Sequence, residues 1–164
     1  MTATVLSLGA NLGDRLAVLR RAAIMLRSMA FTSEMQASSV YETEPVGFRE
    51  QPPFFNIAIA GKTLLASQEL LDVCKNIEQK LGRHERPRWR EREIDIDILL
   101  YGDIVIARGE LELPHPCMLE RRFALVPAAE IAPDFIHPVA NKTLSELAAL
   151  CPDKSEVRPI CNLF

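Results

Sequence analysis

Hydrophobic residues recur along this chain with two different periods, and together these periods predict an ordered series of strands and helices. Apolar residues at helical spacing predict helices over 14–29 and 67–81. Short apolar or alternating runs predict four strands, over 4–8, 38–43, 54–60 and 94–100. The resulting order, β-α-β-β-α-β, is the split βαβ arrangement of ferredoxin-like domains. We therefore predict an α+β fold with a ferredoxin-like core, a mainly antiparallel sheet and two main helices on one face.

Weaker patterns on either side of this core predict turns and extra C-terminal elements. The first strand is expected to enter a turn at Gly9. A short strand is expected over 104–106, and a helix over 120–129 is expected to end near Pro127, because proline interrupts helices. Thr143 and Glu146 have the spacing of a capping box, which predicts the start of a last helix. We see no repeat, low-complexity block or linker, so a single domain is predicted.

Composition narrows the possible classes of function. The chain has 164 residues, of which 48% are apolar and 25% charged, and its formal net charge is −3. A mildly acidic protein is a poor candidate for binding a polyanion such as nucleic acid. No stretch of sequence reaches transmembrane length, and the N-terminus lacks a signal-peptide pattern. The four cysteines form no CxxC pair, so reduced thiols and a cytoplasmic location are expected.

Two aspartates on one strand are the strongest chemical signal in the sequence. Successive side chains of a strand point to opposite faces, so Asp95 and Asp97 share one face, roughly 7 Å apart along the strand. Paired carboxylates suit Mg²⁺, which prefers oxygen ligands and commonly bridges to substrate phosphates. The plain alternative is an outward-facing, solvated acidic face. Aspartate is disfavoured in strands, and close carboxylates repel unless a cation neutralises them. We therefore favour a metal site.

An arginine-rich segment precedes this strand. Five arginines fall between positions 83 and 92, and guanidinium groups bind phosphate oxygens well. Trp89, in the middle of the segment, would stack on a purine or pack the segment down. The alternative is a solvated loop in which nearby glutamates pair with some of the arginines. Beside the two aspartates, the segment favours a site for a metal–polyphosphate complex.

Three other places carry candidate chemistry. Phe54 and Asn56 share a face of their strand, and a ring beside a carboxamide suits a flat heterocycle, although core packing explains the pattern equally well. His115 lies between two prolines that would aim its imidazole at a phosphate, or it is simply an exposed turn histidine. The connection over 44–53 contains three prolines and a glycine, and connections of this length are often functional.

Further motifs accompany the Asp-x-Asp strand and its leading Arg92. In chain order they occupy 7–14, 41–47, 54–56, 88–89, 113–116, 121–123 and 130–133. In their order and approximate spacing these motifs resemble the 6-hydroxymethyl-7,8-dihydropterin pyrophosphokinase family of folate biosynthesis. The resemblance spans nearly the whole chain.

This resemblance implies a reaction. A diphosphoryl group would move from ATP, the co-substrate, to the hydroxymethyl oxygen of the dihydropterin, with release of AMP. Two Mg²⁺ ions would be held by Asp95 and Asp97 and would align the attack on the β-phosphorus. Residues 1–164 would form one pyrophosphokinase domain. We expect a monomer that acts on small molecules, without nucleic acid or membrane partners.

The resemblance also implies three sets of site residues. The catalytic set is Arg83, Arg92, Asp95 and Asp97, of which the two aspartates are also the metal ligands. ATP is expected near Glu78, Arg88, Trp89, Ile98, His115 and Arg121. The pterin pocket is expected to contain Thr43, Val46, Phe54, Asn56 and Phe123. Within that pocket, Phe54 and Phe123 would sandwich the ring while Asn56 reads its edge.

Two rival functions stay open at the level of the sequence. A split βαβ sheet with exposed aromatic residues and a basic loop resembles an RNA-binding module, but Asp95 and Asp97 on the sheet surface would repel phosphate. The second rival is an ordinary kinase that transfers only the γ-phosphate. The identity of the nucleotide product, AMP or ADP, separates this rival from the favoured reaction.

Overall fold

The computed structural model describes residues 1–47, 50–85, 87, 90–107 and 109–164. Its strands are β1 (Thr2–Ala10), β2 (Ser33–Ala37), β3 (Val40–Thr43), β4 (Phe54–Thr63), β5 (Asp95–Tyr101) and β6 (Val157–Cys161). Its helices are α1 (Arg15–Met29), α2 (Ser67–Lys80), α3 (Arg122–Ile131) and α4 (Leu144–Leu150), with a short 3-10 helix at Met118–Glu120. The two main helices and the core strands therefore follow the sequence prediction.

The strands form one sheet in the order β5-β1-β4-β3-β6, and all of the pairings are antiparallel. Without β6, this is the strand order of a ferredoxin-like fold, so the predicted architecture is confirmed. β2 also pairs antiparallel with β4, on the edge that β3 occupies further along. β2 and β3 are therefore two halves of one interrupted strand. β6 extends the sheet beyond β3.

Each face of the sheet is covered by a different pair of helices. On one face, side chains such as Leu8 and Ile57 pack with Leu19 of α1 and Ile77 of α2 in the larger core cluster. On the other face, α3 and α4 cover part of the sheet. Each fully buried aliphatic side chain contributes roughly 1.5–3 kcal/mol. The two-helix layer was predicted, and the second partial layer makes the fold three layers deep.

Local signals explain where the helices begin and end. The Asp14 carboxylate accepts a hydrogen bond from the Ala17 N–H at 2.9 Å and caps α1. Gly82, just beyond the C-cap of α2, adopts a φ of +87°, which favours glycine. Thr143 and Glu146 form the predicted capping box at the start of α4.

Several element predictions were wrong or incomplete. Residues 104–106 form no strand: Ile106 makes one isolated bridge to Leu113, while Ile104 and Val105 are exposed. Pro127 lies inside α3 rather than at its end. The helix continues because Leu125 and Ala128, on either side of the proline, are fully buried anchors.

Candidate active site

One face of the sheet changes character halfway along its strands. Towards one end, Val5, Ala58 and Leu99 are buried in the cluster beneath α3 and α4. Towards the other end, the same face is the floor of a cleft. This floor is formed by Ser7, Gly9, Asn56, Asp95 and Asp97.

Strand register brings the floor residues together. Gly9 of β1 is paired with Asp95 on one side and with Asn56 on the other. Ser7 is paired with Asp97. Directly paired residues of antiparallel strands point to the same face, with Cβ atoms about 5 Å apart. The carboxylates and the carboxamide therefore flank a narrow strip made of Ser7 and Gly9.

The residues predicted for the pterin pocket all line this cleft. Phe54 and Thr43 are paired across β4 and β3. Phe123 reaches the cleft from the first turn of α3, and Val46 reaches it from the connection after β3. The pocket therefore has one aromatic side chain from the sheet and another from the helix that covers the adjoining part of the sheet.

Asn56 is held in one orientation at the pocket floor. It is 3% exposed, and its Nδ2 donates a hydrogen bond to Thr43 Oγ1 at 2.6 Å. Gly9 was predicted to begin a turn, but it lies within β1 and leaves space for this carboxamide. A Cβ at position 9 would lie only 2.8 Å from Asn56 Oδ1. Gly9 is thus required for close packing rather than for a turn.

The two aspartates carry unfavourable charge at the cleft floor. Both side chains are 38% exposed. Partial burial, followed by the charge of Asp95, raises the pKa of Asp97. Arg83 Nη1 lies 3.0 Å from Asp95 Oδ1, while Arg121 Nη1 lies 3.9 Å from Asp97 Oδ2. These arginines offset only part of the repulsion, so the pair favours an added cation.

The donor set at the floor fits Mg²⁺. In the described part of the chain, no three His, Cys, Asp or Glu side chains gather into a metal cluster. Mg²⁺ commonly binds one or two carboxylates and completes its coordination with waters and substrate phosphates. Asp95 and Asp97, open to the cleft, offer that arrangement.

Glu78 lies buried on α2 behind the Asp-bearing strand. Its Oε1 accepts the Ile96 N–H at 2.6 Å, and its other oxygen pairs with Arg83. Burial raises the pKa of Glu78 to about 7. The carboxylate therefore supports β5 and Arg83, and a direct contact with ATP stays a prediction.

Ile98 does not present its side chain to the cleft. It is 4% exposed and packs in the cluster on the opposite face of the sheet. Alternate residues of a strand direct their backbone groups to the same side. The Ile96 N–H turns outward to Glu78, so the backbone of Ile98 is expected to lie on the same free edge. Any contact between Ile98 and a nucleotide would use this backbone.

His115 stands beside Asp97 as a neutral donor. Its backbone N–H donates to Leu99 O at 2.9 Å, which fixes the loop to β5. Its Nδ1 accepts the Cys117 N–H at 3.2 Å, and its Nε2 lies 3.9 Å from Asp97 Oδ2. Burial, together with the charge of Arg121, lowers the pKa of His115 to about 4. The proton of the neutral ring is therefore on Nε2, facing the floor.

Arg92 lines the cleft and is held within its own loop. Its guanidinium donates to Glu91 O at 3.0 Å and to Pro87 O at 3.1 Å. Two predicted ATP-binding residues of the same segment, Arg88 and Trp89, lie outside the described residues.

Asn11 is a site-supporting residue to which sequence reasoning gave no role. It is 1% exposed, and its Oδ1 accepts the Arg92 N–H at 2.8 Å. Its Nδ2 donates to Gln51 Oε1 at 2.9 Å and to Pro52 O at 3.0 Å. Asn11 therefore joins the arginine-rich segment to the 44–53 connection. Asn11 stands within the 7–14 motif, but an asparagine after a strand is common to many turns and does not by itself indicate this role.

A model of the 7,8-dihydro-6-hydroxymethylpterin-pyrophosphokinase (HPPK) family matches residues 5–133. The chain is 40% identical to the 2-amino-4-hydroxy-6-hydroxymethyldihydropteridine pyrophosphokinase of Aquifex aeolicus over 164 residues, covering 100% of this chain and 99% of that protein. It is 44% identical to the Bacillus subtilis protein of the same name over 126 residues, covering 77% and 75% of the two chains.

A solved structure of an HPPK-DHPS in complex with substrates has a similar fold, with a TM-score of 0.71 at 14% identity. The match covers 91% of this chain and 43% of that longer chain. At this identity the similarity concerns the fold alone. The family model and the relative that is 40% identical over the whole chain agree with the sequence motifs and the cleft. This chain therefore belongs to the 7,8-dihydro-6-hydroxymethylpterin-pyrophosphokinase family.

Proposed function

We propose that this chain transfers the diphosphoryl group of ATP to the hydroxymethyl oxygen of 6-hydroxymethyl-7,8-dihydropterin and releases AMP. The observation that carries the proposal is the arrangement of the cleft floor. An aromatic and carboxamide pocket lies on one side of the Ser7–Gly9 strip, and two carboxylates lie on the other. A ring held on the first side would present its alcohol to phosphates held on the second.

Pterin recognition would rest on stacking and on one oriented amide. Phe54 and Phe123 would sandwich the bicyclic ring, because flat rings bind well between aromatic faces. The Nδ2 group of Asn56 donates to Thr43. The side-chain Oδ1 of Asn56, beside Gly9, would then accept a hydrogen bond from an N–H at the edge of the ring. Val46, which is exposed at the mouth of the cleft, would cover the ring.

The phosphates would be held by carboxylate-bound metal and by basic side chains. Asp95 and Asp97 are the proposed Mg²⁺ ligands, and two ions are expected. Bound there, Mg²⁺ would screen the triphosphate charge and make the β-phosphorus more electrophilic. Arg83, Arg92 and Arg121 would add positive charge where negative charge develops.

His115 has a narrower proposed role. Its Nε2–H faces Asp97 and would donate to a phosphate oxygen that lies beside the carboxylates. Because the ring stays neutral at physiological pH, it would orient the phosphate without adding charge. Arg92 would first have to exchange its bonds to the Pro87 and Glu91 carbonyls for phosphate oxygens.

The bond changes follow from this placement. The hydroxymethyl oxygen forms a bond to the β-phosphorus, and the bond from that phosphorus to the α,β-bridging oxygen breaks. The alcohol proton leaves to solvent and AMP departs with the bridging oxygen.

All of the groups named come from one chain, so a monomer without nucleic acid or membrane suffices. No helix in the described ranges is long and apolar enough to cross a membrane, and a cytoplasmic location stays a prediction.

Product analysis tests the proposal. The purified chain is incubated with ATP, Mg²⁺ and the dihydropterin alcohol, and the products are identified by chromatography and ³¹P NMR. We expect AMP and a pterin diphosphate ester in equal amounts, and no product when EDTA is present. Accumulation of ADP with a pterin monophosphate would contradict diphosphoryl transfer. RNA binding without nucleotide turnover would favour the rival binding module.

A further inference from the structure

Glu130, at the C-terminal end of α3, accepts several hydrogen bonds from the strand that is interrupted between β2 and β3. Its oxygens accept the Ser39 N–H at 3.0 and 3.1 Å, the Ser39 hydroxyl at 2.9 Å and the Tyr41 hydroxyl at 2.7 Å. The residue is exposed as a whole, yet these donors are distant in sequence: Ser39 lies between β2 and β3, and Tyr41 lies on β3. Hydrogen bonds to a charged group are stronger than those between neutral groups. Glu130 therefore links α3 to the segment between β2 and β3.

The link to Glu130 lies at the break between β2 and β3. The Ser38 N–H donates to Ala58 O at 2.9 Å, but the Ala58 N–H donates to the Ser38 hydroxyl oxygen at 2.9 Å instead of to a backbone carbonyl. The regular ladder therefore stops at Ser38 and resumes where Tyr41 pairs with Asn56. The Ser39 N–H, between these two points, turns to Glu130.

Both elements that Glu130 joins carry residues of the pterin pocket. Phe123 lies seven residues before Glu130 on α3, about 10 Å along the helix axis at 1.5 Å per residue. Thr43 lies two residues after Tyr41 on β3 and holds the Asn56 carboxamide at 2.6 Å. The spacing between α3 and β3 therefore sets the opening between Phe123 and the Thr43–Asn56 pair.

We infer that Glu130 is a positioning residue that sets the affinity of the cleft for the pterin ring. It touches neither substrate and acts through the placement of α3 on β3. This inference rests on the proposed function, since it assigns the ring to the pocket between these elements. Burial, followed by the hydrogen bond to Glu130, raises the pKa of Tyr41 to about 12, so the phenol stays a donor at physiological pH.

The test compares Glu130→Ala and Glu130→Gln with a matched control on α4. Glu146 Oε2 accepts the Thr143 N–H at 2.8 Å and the Thr143 hydroxyl at 3.1 Å, which is the same chemistry in a capping box away from the cleft. For each variant, KM for pterin, KM for ATP, kcat, pterin Kd by calorimetry and the unfolding midpoint are measured.

We expect Glu130→Ala to raise KM and Kd for the pterin about tenfold, which is the effect of 1.4 kcal/mol. KM for ATP and kcat should change by a clearly smaller factor than the pterin constants, because α3 reaches the phosphate side through Arg121 at its start, whereas Asp95 and Asp97 lie on β5. Glu130→Gln keeps one acceptor oxygen and should restore part of the affinity. Glu146→Ala should lower the unfolding midpoint without changing pterin affinity.

Tyr41→Phe keeps the test decisive if Glu130→Ala folds poorly. It removes one of the donors and should raise pterin Kd in the same direction by a smaller factor. Its effect should shrink when Glu130 is already glutamine, because the two residues share one interaction.

Two results would overturn the inference. One is a lower unfolding midpoint for Glu130→Ala with wild-type pterin Kd, which would make the link merely structural. The other is an equal loss for ATP and pterin. Wild-type protein that binds pterin but forms no AMP would contradict the proposed function alone, since calorimetry on Glu130→Ala still decides the inference. Wild-type protein that binds no pterin would contradict both.

Discussion

The two halves of one sheet face differ completely, although they are built on the same strands. In the covered half, Val5, Ala58 and Leu99 are at most 1% exposed beneath α3 and α4. Two residues along, the same strands place Ser7, Asn56 and Asp97 in the open half. The strand backbone continues through both halves, so the change comes from the side chains and from where α3 begins, with Phe123 of its first turn at the cleft.

The two halves therefore contain different kinds of residue: apolar residues that stabilise the fold, and polar residues that form the proposed site. The covered half has the apolar burial that drives folding. The open half has two close carboxylates and a carboxamide packed over a glycine. These polar groups contribute little to the stability of the fold. Because the covered half makes the sheet rigid, the open half can hold such groups in fixed positions. Substitutions in the two halves should therefore have opposite signatures.

The largest effect is expected in the open half, from Asp97→Asn. Loss of one of the two proposed metal ligands should lower kcat at least about 10³-fold. The unfolding midpoint should not fall, because the charged form of Asp97 is already unfavourable in the folded protein. Steady-state turnover and thermal unfolding check the two parts. An Asp97→Asn protein with normal Mg²⁺-dependent turnover would contradict the assigned role.

The covered half should give the opposite signature in Leu144→Ala. Leu144 is fully buried on α4, so truncation should cost about 2–5 kcal/mol of unfolding free energy. Turnover per folded molecule, measured at low temperature, should stay near wild type. Denaturant unfolding gives the stability. A large fall in kcat with little loss of stability would mean that the two halves are not separable.

Arg92→Ala should affect the chemical step more than pterin binding. Removing a guanidinium that lines the cleft should slow transfer roughly 100-fold if it stabilises charge on the transferring group. Single-turnover rates are compared with pterin affinity measured by calorimetry. Equal losses in both quantities would place Arg92 in ring binding instead.

Gly9→Ala tests how closely the open half is packed. The added Cβ would lie 2.8 Å from Asn56 Oδ1 and should displace the carboxamide, raising pterin Kd about tenfold. Gly61→Ala is the matched control, because its Cβ would meet the Phe31 ring at 2.6 Å on the other side of the fold. The control should lose stability and keep pterin affinity. Unchanged pterin Kd in Gly9→Ala would exclude Asn56 as the group that reads the ring.

The smallest predicted effect is on the pH dependence of the free energy of unfolding. It involves His137, in the segment that joins α3 to α4. His137 Nδ1 accepts the N–H groups of Val139 and Ala140 at 3.2 and 3.0 Å, and burial lowers the pKa of His137 below its usual 6.5. The unfolded chain therefore takes up the proton first. The neutral His137 ring therefore contributes to the free energy of unfolding above pH 6.5. This contribution is lost as pH falls from 6.5 towards the lower pKa of the folded protein.

A non-titrating acceptor isolates this contribution. His137→Asn should lose less unfolding free energy than wild type between pH 7 and pH 5, as measured by denaturant unfolding at each pH. Parallel curves for the two proteins would show that the His137 turn does not titrate in this range.

The sequence was most informative where a strong pattern coincided with burial. The alternation of Ile and Asp over 94–98 predicted both the strand and its two faces, because the core accepts only one of the two sets. The helices α1 and α2 were predictable for the same reason, since each carries one apolar stripe.

The missed elements depend on contacts distant in sequence. β6 contains Pro159 and is mostly exposed, so only its pairing with β3 defines it. β2 alternates weakly, with Met35 among polar residues. Gly9 was taken as a turn residue because the close approach of Asn56 is set by pairing between β1 and β4. Local patterns cannot reveal contacts of this kind.

A crystal structure with a non-hydrolysable ATP analogue, Mg²⁺ and the dihydropterin alcohol tests the central claim most directly. We expect metal density on Asp95 and Asp97, the ring between Phe54 and Phe123, and the hydroxymethyl oxygen directed at the β-phosphorus across the Ser7–Gly9 strip. Nucleotide and metal bound away from both aspartates, or a ring outside the pocket, would contradict it.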